Sequence, residues 1–114
     1  MGQLQVTAHL HIHEGKLDQF RAAAAACMES VRENDTGTLQ YDWFFSQDQT
    51  TCLVRERYQD SAALIDHIGN LGDRMGALLE SCDIEIDLFG DPSPELVDAV
   101  AALPTTVYPF FQGI

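Results

Sequence analysis

The sequence predicts an α+β domain whose elements follow one another as β-α-β-β-α-β, the ferredoxin-like order. Two observations support this prediction. Apolar residues recur with a period of two in four segments, as in half-buried strands, and with helical spacing in longer segments between them. No internal repeat or low-complexity linker interrupts the order, so the 114 residues are expected to build one core.

The first strand is predicted from Leu4 to Ile12, where apolar and polar side chains alternate. A helix follows from Lys16 to Asn34, because an alanine run and an apolar stripe at helical spacing favour it. The sequence Asn34-Asp35-Thr36-Gly37 ends this helix. The predicted unit is therefore a strand followed by an amphipathic helix.

Three further strands are predicted by the same alternation. They run from Leu39 to Phe45, from Thr51 to Tyr58 and from Ile84 to Phe89. The first two are joined by a polar hairpin loop, and a second helical region separates the last two. Asp60 or Ser61 can cap that region, and its glycines favour a break or kink within it. These are Gly69, Gly72 and Gly76.

Residues 91–114 are predicted as a C-terminal extension of a unit that spans residues 1–90. Ser93 is a suitable N-cap and Pro94 a suitable first residue for a short helix to Leu103, which Pro104 ends. Several large apolar side chains follow, in an extended segment that we expect to pack on the domain or on a dimer partner. They are Val107, Tyr108, Phe110 and Phe111. The favoured docking surface is the partner subunit or the mouth of a pocket.

The composition argues against several classes of partner. The 18 acidic and 6 basic residues give a net charge of -12, which repels nucleic acid and anionic lipid. No stretch approaches the roughly 20 apolar residues that span a bilayer, and no secretion signal is recognisable at the N-terminus. The three cysteines are odd in number and lack CxxC spacing, which is typical of small core residues. We therefore expect a cytoplasmic protein.

Several short segments, taken in order, resemble the antibiotic biosynthesis monooxygenase family. They are His13–Lys16 after the first strand, Gly37–Tyr41 opening the second, and Leu53–Asp60 followed by Ala62–His67. The family includes small quinol monooxygenases and related dimeric α+β barrel proteins, and the resemblance covers roughly residues 4 to 90. It implies a homodimer in which two sheets face each other. The pattern agrees in part, because helices cover one sheet face only.

His67 is the candidate catalytic residue. It lies among Leu64, Ile68 and Leu71 on the predicted inner helix face, where burial lowers a histidine pKa and leaves a neutral imidazole able to accept a proton. The alternative is a core histidine bonded to strand backbone or to Glu56. The candidate substrate-binding residues are Tyr41, Trp43, Glu56, Tyr58 and Asn70. Aromatic residues that alternate along a strand are also typical of a core.

Metal and organic cofactors are not predicted. His9, His11 and His13 share one strand face with about 7 Å between successive neighbours, and a metal site needs closer convergence. A solvated strand or a dimer seam is the favoured interpretation. No Gly-rich phosphate loop indicates a flavin or nicotinamide.

The resemblance implies a cofactor-independent monooxygenase for a small aromatic, quinol or polyketide-like molecule. In this hypothesis His67 is the base or orienting residue, Tyr41 or Trp43 donates to an oxygen, and Tyr58 forms a wall. A heme-degrading enzyme fits less well, since Ala8 and His67 stand where that pattern has asparagine and tryptophan. An isomerase on the same fold, or a non-catalytic ligand-binding or stress-related dimer, stays open.

Overall fold

The computed structural model describes residues 2–114, and these form a five-stranded sheet with four helices on one face. The strands are β1 (Leu4–Ile12), β2 (Thr38–Phe45), β3 (Thr51–Tyr58), β4 (Cys82–Phe89) and β5 (Thr105–Tyr108). The helices are α1 (Leu17–Asn34), α2 (Ser61–Leu71), α3 (Asp73–Leu79) and α4 (Pro94–Ala99). The predicted α+β class and ferredoxin-like order are confirmed, and the sheet order is β2-β3-β1-β4-β5.

Strand β1 lies at the centre of the sheet and pairs antiparallel with β3 and β4. Its register places Val6 opposite Glu56 of β3 and Leu88 of β4, so these three side chains share a face. That face is buried beneath the helices, and the predicted alternation of β1 is confirmed by the burial of Leu4, Val6, Ala8 and Leu10. The site described below lies on this inner face.

The three cysteines lie buried in the core as free thiols. Cys27 comes from α1, Cys52 from β3 and Cys82 from β4. Burial raises the pKa of each thiol to about 11, so each stays protonated and unreactive near neutral pH. The interpretation of all three as small core residues is confirmed.

The second helical region breaks at Gly72, one of the three predicted positions. The φ angle of Gly72 is +50°, a backbone conformation that is strained for residues with a side chain. This conformation explains why a glycine lies between α2 and α3. Asp60 caps α2 by accepting from the backbone N–H of Ala63 at 2.8 Å. Helix α4 ends at Ala99, short of the predicted Leu103, although Val100 stays buried.

The C-terminal tail is extended, as predicted, and its strand β5 packs on the domain itself. Strand β5 pairs in parallel with β4 of the same chain, where the backbone N–H of Ile86 donates to the carbonyl of Pro104 at 2.8 Å. The edge of β4 offered unpaired backbone groups, and β5 satisfies them. Beyond β5, the side chains of Phe110 and Phe111 are exposed.

The sheet face without helices carries a row of histidine–carboxylate pairs. His9 contacts Asp87 at 2.9 Å, and the same pattern joins His11 to Glu85 at 3.1 Å and His13 to Asp83 at 3.0 Å. Each histidine therefore has its own carboxylate. Within residues 2–114 the side chains form no group of three or more that could hold a metal ion. The helices of this part of the chain are all too short or too polar to cross a bilayer.

Candidate functional site

The centre of the candidate site is a buried pair formed by Asp35 and His67. Asp35 follows the last residue of α1, and His67 lies on the inner face of α2. The Nδ1 atom of His67 is 2.8 Å from Oδ2 of Asp35, and the two side chains are only 4% and 3% exposed. Asn70, one helical turn after His67, donates to Oδ1 of Asp35 at 2.9 Å. Thr38 donates a third hydrogen bond at 2.6 Å.

These contacts set the charges of the pair. Burial acts to raise the pKa of Asp35, but hydrogen bonds from Thr38, Asn70 and His67 hold that pKa below its ordinary value. Burial lowers the pKa of His67, even though Asp35 acts in the opposite direction. At neutral pH the pair is therefore a carboxylate beside a neutral imidazole, with the proton on Nδ1. The Nε2 atom, on the other side of the ring, is then the nitrogen with the lone pair.

A cavity of about 60 Å³ lies between the sheet and the helices beside His67. Most of its wall is aliphatic and includes Met75 and Leu78 of α3. Four lining residues carry polar groups, and they come from β2, β3 and α2. They are Tyr41, Trp43, Glu56 and His67. A ligand here would meet a few directed polar atoms in a dry, apolar environment, as is typical of small-molecule sites.

The aromatic residues of β2 extend the site away from His67. The ring centroid of Tyr41 lies 5.0 Å from that of His67 and 5.6 Å from that of Trp43. Burial, together with the charge of Glu56, raises the pKa of Tyr41 far above its ordinary value, so its hydroxyl stays protonated. The indole Nε1 of Trp43 is buried without a hydrogen-bond partner in the described part of the chain. Two donors are thus available to an oxygen atom of a ligand.

Glu56 and Tyr58 form a second buried pair. The hydroxyl of Tyr58 donates to the Glu56 carboxyl group, since residues two apart on a strand share a face. Tyr41 lies directly opposite Glu56 in the register of β2 and β3, so the two side chains share this face. Burial raises the pKa of Glu56 to about 7, although the hydrogen bond from Tyr58 lowers it. The protonated form of Glu56 is therefore far more populated near neutral pH than it is for an ordinary glutamate.

The cavity brings together four of the six residues predicted for the site. Tyr58 and Asn70 do not line the cavity but contact residues of the site. Tyr58 packs against the His67 ring at a centroid distance of 5.2 Å, and Asn70 donates a hydrogen bond to Asp35. Asp35 was missed by the sequence analysis. Asp35 belongs to a segment whose local pattern predicts only the end of a helix. Its contact with His67 joins residues that are 32 positions apart in the sequence.

The antibiotic biosynthesis monooxygenase family model matches residues 4–70, more than half of the chain. The chain belongs to this family. No curated protein sequence matches it.

Solved structures share the fold at low identity. MupZ from Pseudomonas fluorescens superposes with a TM-score of 0.87 at 20% identity, covering 100% of this chain and 94% of that one. A conserved protein from Methanosarcina mazei Go1 gives 0.69 at 19% identity, covering 77% and 91%. SnoaB, a cofactor-independent oxygenase from Streptomyces nogalater, gives 0.68 at 15% identity, covering 82% and 96%. Of these three matches, the one to MupZ covers the whole chain and so includes the C-terminal extension.

Proposed function

We propose that the protein is a cofactor-independent monooxygenase acting on a small aromatic, quinol or polyketide-like molecule. One observation carries the proposal: the buried, neutral His67, whose Nδ1 atom is held by Asp35, lines a cavity that also contains the donors Tyr41 and Trp43. Family membership and the fold shared with an oxygenase support it.

The chemistry needs only a base, an oxyanion donor and a dry pocket. His67 takes a proton from an acidic O–H or C–H group of the substrate, and Tyr41 or Trp43 stabilises the resulting anion. The anion reduces dioxygen by one electron, and the two radicals combine as a peroxide. Loss of water then leaves one oxygen atom in the product as a carbonyl. The substrate supplies every electron that dioxygen receives.

The cavity is small for a ring-sized substrate, so the proposal also requires a movement of the protein. A cavity known to hold benzene measures about 150 Å³, whereas this cavity measures about 60 Å³. A ring-sized substrate therefore enters only when part of the helix layer moves outward. Helix α3 is suited to this, because it is seven residues long, follows the break at Gly72 and carries Met75 and Leu78 of the cavity wall.

Oxygen uptake tests the proposal directly. Purified protein without added cofactor is mixed with hydroquinones, naphthols and anthrones, and dioxygen is followed with an electrode. We expect uptake above autoxidation for at least one compound, with the oxidised product formed in proportion. The di-O-methyl ether of an active hydroquinone, which has no acidic O–H proton for His67 to remove, should be inert. Uptake equal to autoxidation across the panel would reject the proposal.

A second candidate function is an isomerase that moves protons without oxygen. Glu56 favours it, because a carboxyl group with a pKa of about 7 lines the same cavity as the base His67. Such a pair can remove a proton at one atom and return it at another. Incubation without oxygen separates the two functions, since an isomerase still converts its substrate into an isomer under those conditions, whereas the monooxygenase forms no product.

We also propose that the protein acts as a homodimer whose sheets face each other. The helices cover one sheet face, and the other carries exposed apolar side chains such as Phe44, which is 54% exposed and lies beside Leu53. A second copy, with the same surface, is the occupant that this proposal assigns to that face. A dimer of this kind could also bind a ligand without catalysis.

A further inference from the structure

We infer that Asp35 is the positioning residue of the site, which holds His67 as the Nδ1–H tautomer and so directs the basic Nε2 atom at the cavity. The inference rests on the proposed role of His67 as base, and it concerns a residue outside the cavity wall. Asp35 contacts His67 but does not line the cavity, so it would act on a ligand only through His67.

Backbone hydrogen bonds of the loop fix the position of the Asp35 carboxylate independently of His67. Asp35 leaves α1 with an extended backbone, while its N–H still donates to the carbonyl of Val31 at 3.1 Å. Two residues later the carbonyl of Gly37 accepts from the N–H of Gln59 at 2.9 Å. The loop is thus tied to α1 on one side and to the end of β3 on the other, and its carboxylate lies against α2.

The three hydrogen bonds of Asp35 leave His67 one productive arrangement. Thr38 and Asn70 donate to the carboxylate, and an ionised carboxylate accepts but never donates. The imidazole nitrogen nearest to it must therefore carry a hydrogen. A neutral imidazole has one N–H, so Nε2 is left with its lone pair. Because the ring is buried between Tyr41 and Tyr58, at 5.0 and 5.2 Å, it has little room to turn.

The tautomer is directly measurable, because the chain contains only four histidines. In protein labelled with ¹⁵N-histidine, long-range ¹H–¹⁵N correlation spectra show which ring nitrogen carries the hydrogen. His67→Asn identifies the His67 signals by their loss. We expect the Nδ1–H tautomer for His67 in the wild-type protein, without substrate and without oxygen. The Nε2–H tautomer in this spectrum would overturn the inference even if no variant of Asp35 folds.

The variant Asp35→Asn then tests whether Asp35 causes the Nδ1–H tautomer of His67. It keeps the shape of the side chain but removes the charge and leaves an amide N–H₂ group among three donors, so we expect a large Nε2–H population of His67. Thr38→Val is the matched control, because it removes another hydrogen bond of Asp35 and leaves the bond to His67 in place. It should lose stability while keeping the Nδ1–H tautomer.

If an oxidised or isomerised substrate is found, Asp35→Asn should lower kcat by about 10²-fold with little change in KM. Retention of the Nδ1–H tautomer in folded Asp35→Asn would reject the positioning role. Failure to find any substrate would count against the proposed function alone, because the spectra need neither substrate nor turnover.

Discussion

Gly37 lies so close to Ala63 that a β-carbon at residue 37 would be 2.5 Å from the β-carbon of Ala63. Gly37 precedes β2, and Ala63 is in the first turn of α2. The missing side chain therefore lets the loop that carries Asp35 lie directly on the helix that carries His67. A small feature of packing brings the two members of the buried pair together.

Gly37→Ala should lower the free energy of unfolding by about 1 to 3 kcal/mol, the usual cost of overpacking. The contact is between two β-carbons, and neither can rotate away. Chemical denaturation measures the change. The same variant should weaken the Asp35–His67 contact, which the ¹⁵N-histidine spectra report.

Gly69→Ala is the matched control, since Gly69 is exposed in the interior of α2 and a β-carbon there meets nothing within 4 Å. It should raise stability by about 0.5 to 1 kcal/mol through helix propensity. Equal effects of the two substitutions would show that the approach of the loop to α2 is not limited by Gly37.

The elements with strong local patterns were predictable. The bounds of β1 and β3 agree with the predictions because one buried face requires strict alternation. The end of α4 was not predictable from Val100 and Leu103, whose spacing suits a helix, although the chain turns before Pro104. The docking of the tail depended on the free edge of β4, which exists only once the sheet order is known.

The residues of the candidate site also differ in how far the sequence could predict them. His67 was identifiable because it interrupts an apolar helical stripe, and Tyr41 and Trp43 because they share one face of a strand. Asp35 lies in a polar turn, where an aspartate has an ordinary local explanation. Its role comes from a tertiary contact that no local pattern encodes.

His67→Ala should lower turnover by about 10²-fold or more, the usual contribution of a general base. His67→Asn is a sharper version, because its amide N–H₂ can replace the Nδ1–H group on Asp35 while no atom replaces Nε2. The fold should therefore be retained, as circular dichroism would show. Full activity in folded His67→Asn would make His67 a core residue.

Glu56 should make the protein less stable as the pH rises. Its pKa is raised from 4.5 to about 7 by burial, so between these pH values the native state holds a proton that the unfolded chain has lost. The free energy of unfolding then falls with rising pH across that window, by on the order of 3 kcal/mol for this group. Glu56→Gln cannot ionise and should remove this part of the slope.

Urea denaturation of wild-type protein and Glu56→Gln between pH 4 and 8 measures the difference, and all other titrating groups cancel in the comparison. The variant should gain relative stability as pH rises. Tyr58→Phe removes the hydrogen bond that lowers the Glu56 pKa, so it should extend the wild-type slope to higher pH. A stability difference between wild type and Glu56→Gln that does not vary with pH would show that the pKa of Glu56 is the same in the folded and unfolded states.

Phe44→Glu should dissociate the proposed homodimer. It places a charge at an exposed apolar position on the uncovered sheet face, opposite Leu53. Light scattering at micromolar concentration should change from twice 12.6 kDa to 12.6 kDa. Val97→Glu is the control, because Val97 is 45% exposed on α4, on the helical side. A wild-type protein that scatters as 12.6 kDa would reject the dimer.

The C-terminal tail should divide into two parts with separate effects. Deleting residues 104–114 removes β5 and its hydrogen bonds to β4, and it also removes Tyr108, whose ring stacks on Phe89 at 5.2 Å. Each lost hydrogen bond costs about 0.5 to 1.5 kcal/mol, so the loss should reach roughly 2 kcal/mol and lower Tm by about 8 °C.

Deleting only residues 109–114 keeps β5 and removes Phe110 and Phe111, which are 71% and 91% exposed. Their loss should leave the stability of the single chain almost unchanged, because they bury little surface within it. If the two rings lie at the dimer interface, this shorter deletion should raise the dissociation constant of the dimer, measured by sedimentation over a dilution series. An unchanged constant would place them outside the interface, and a full-length Tm in the longer deletion would show that β5 adds nothing to the sheet.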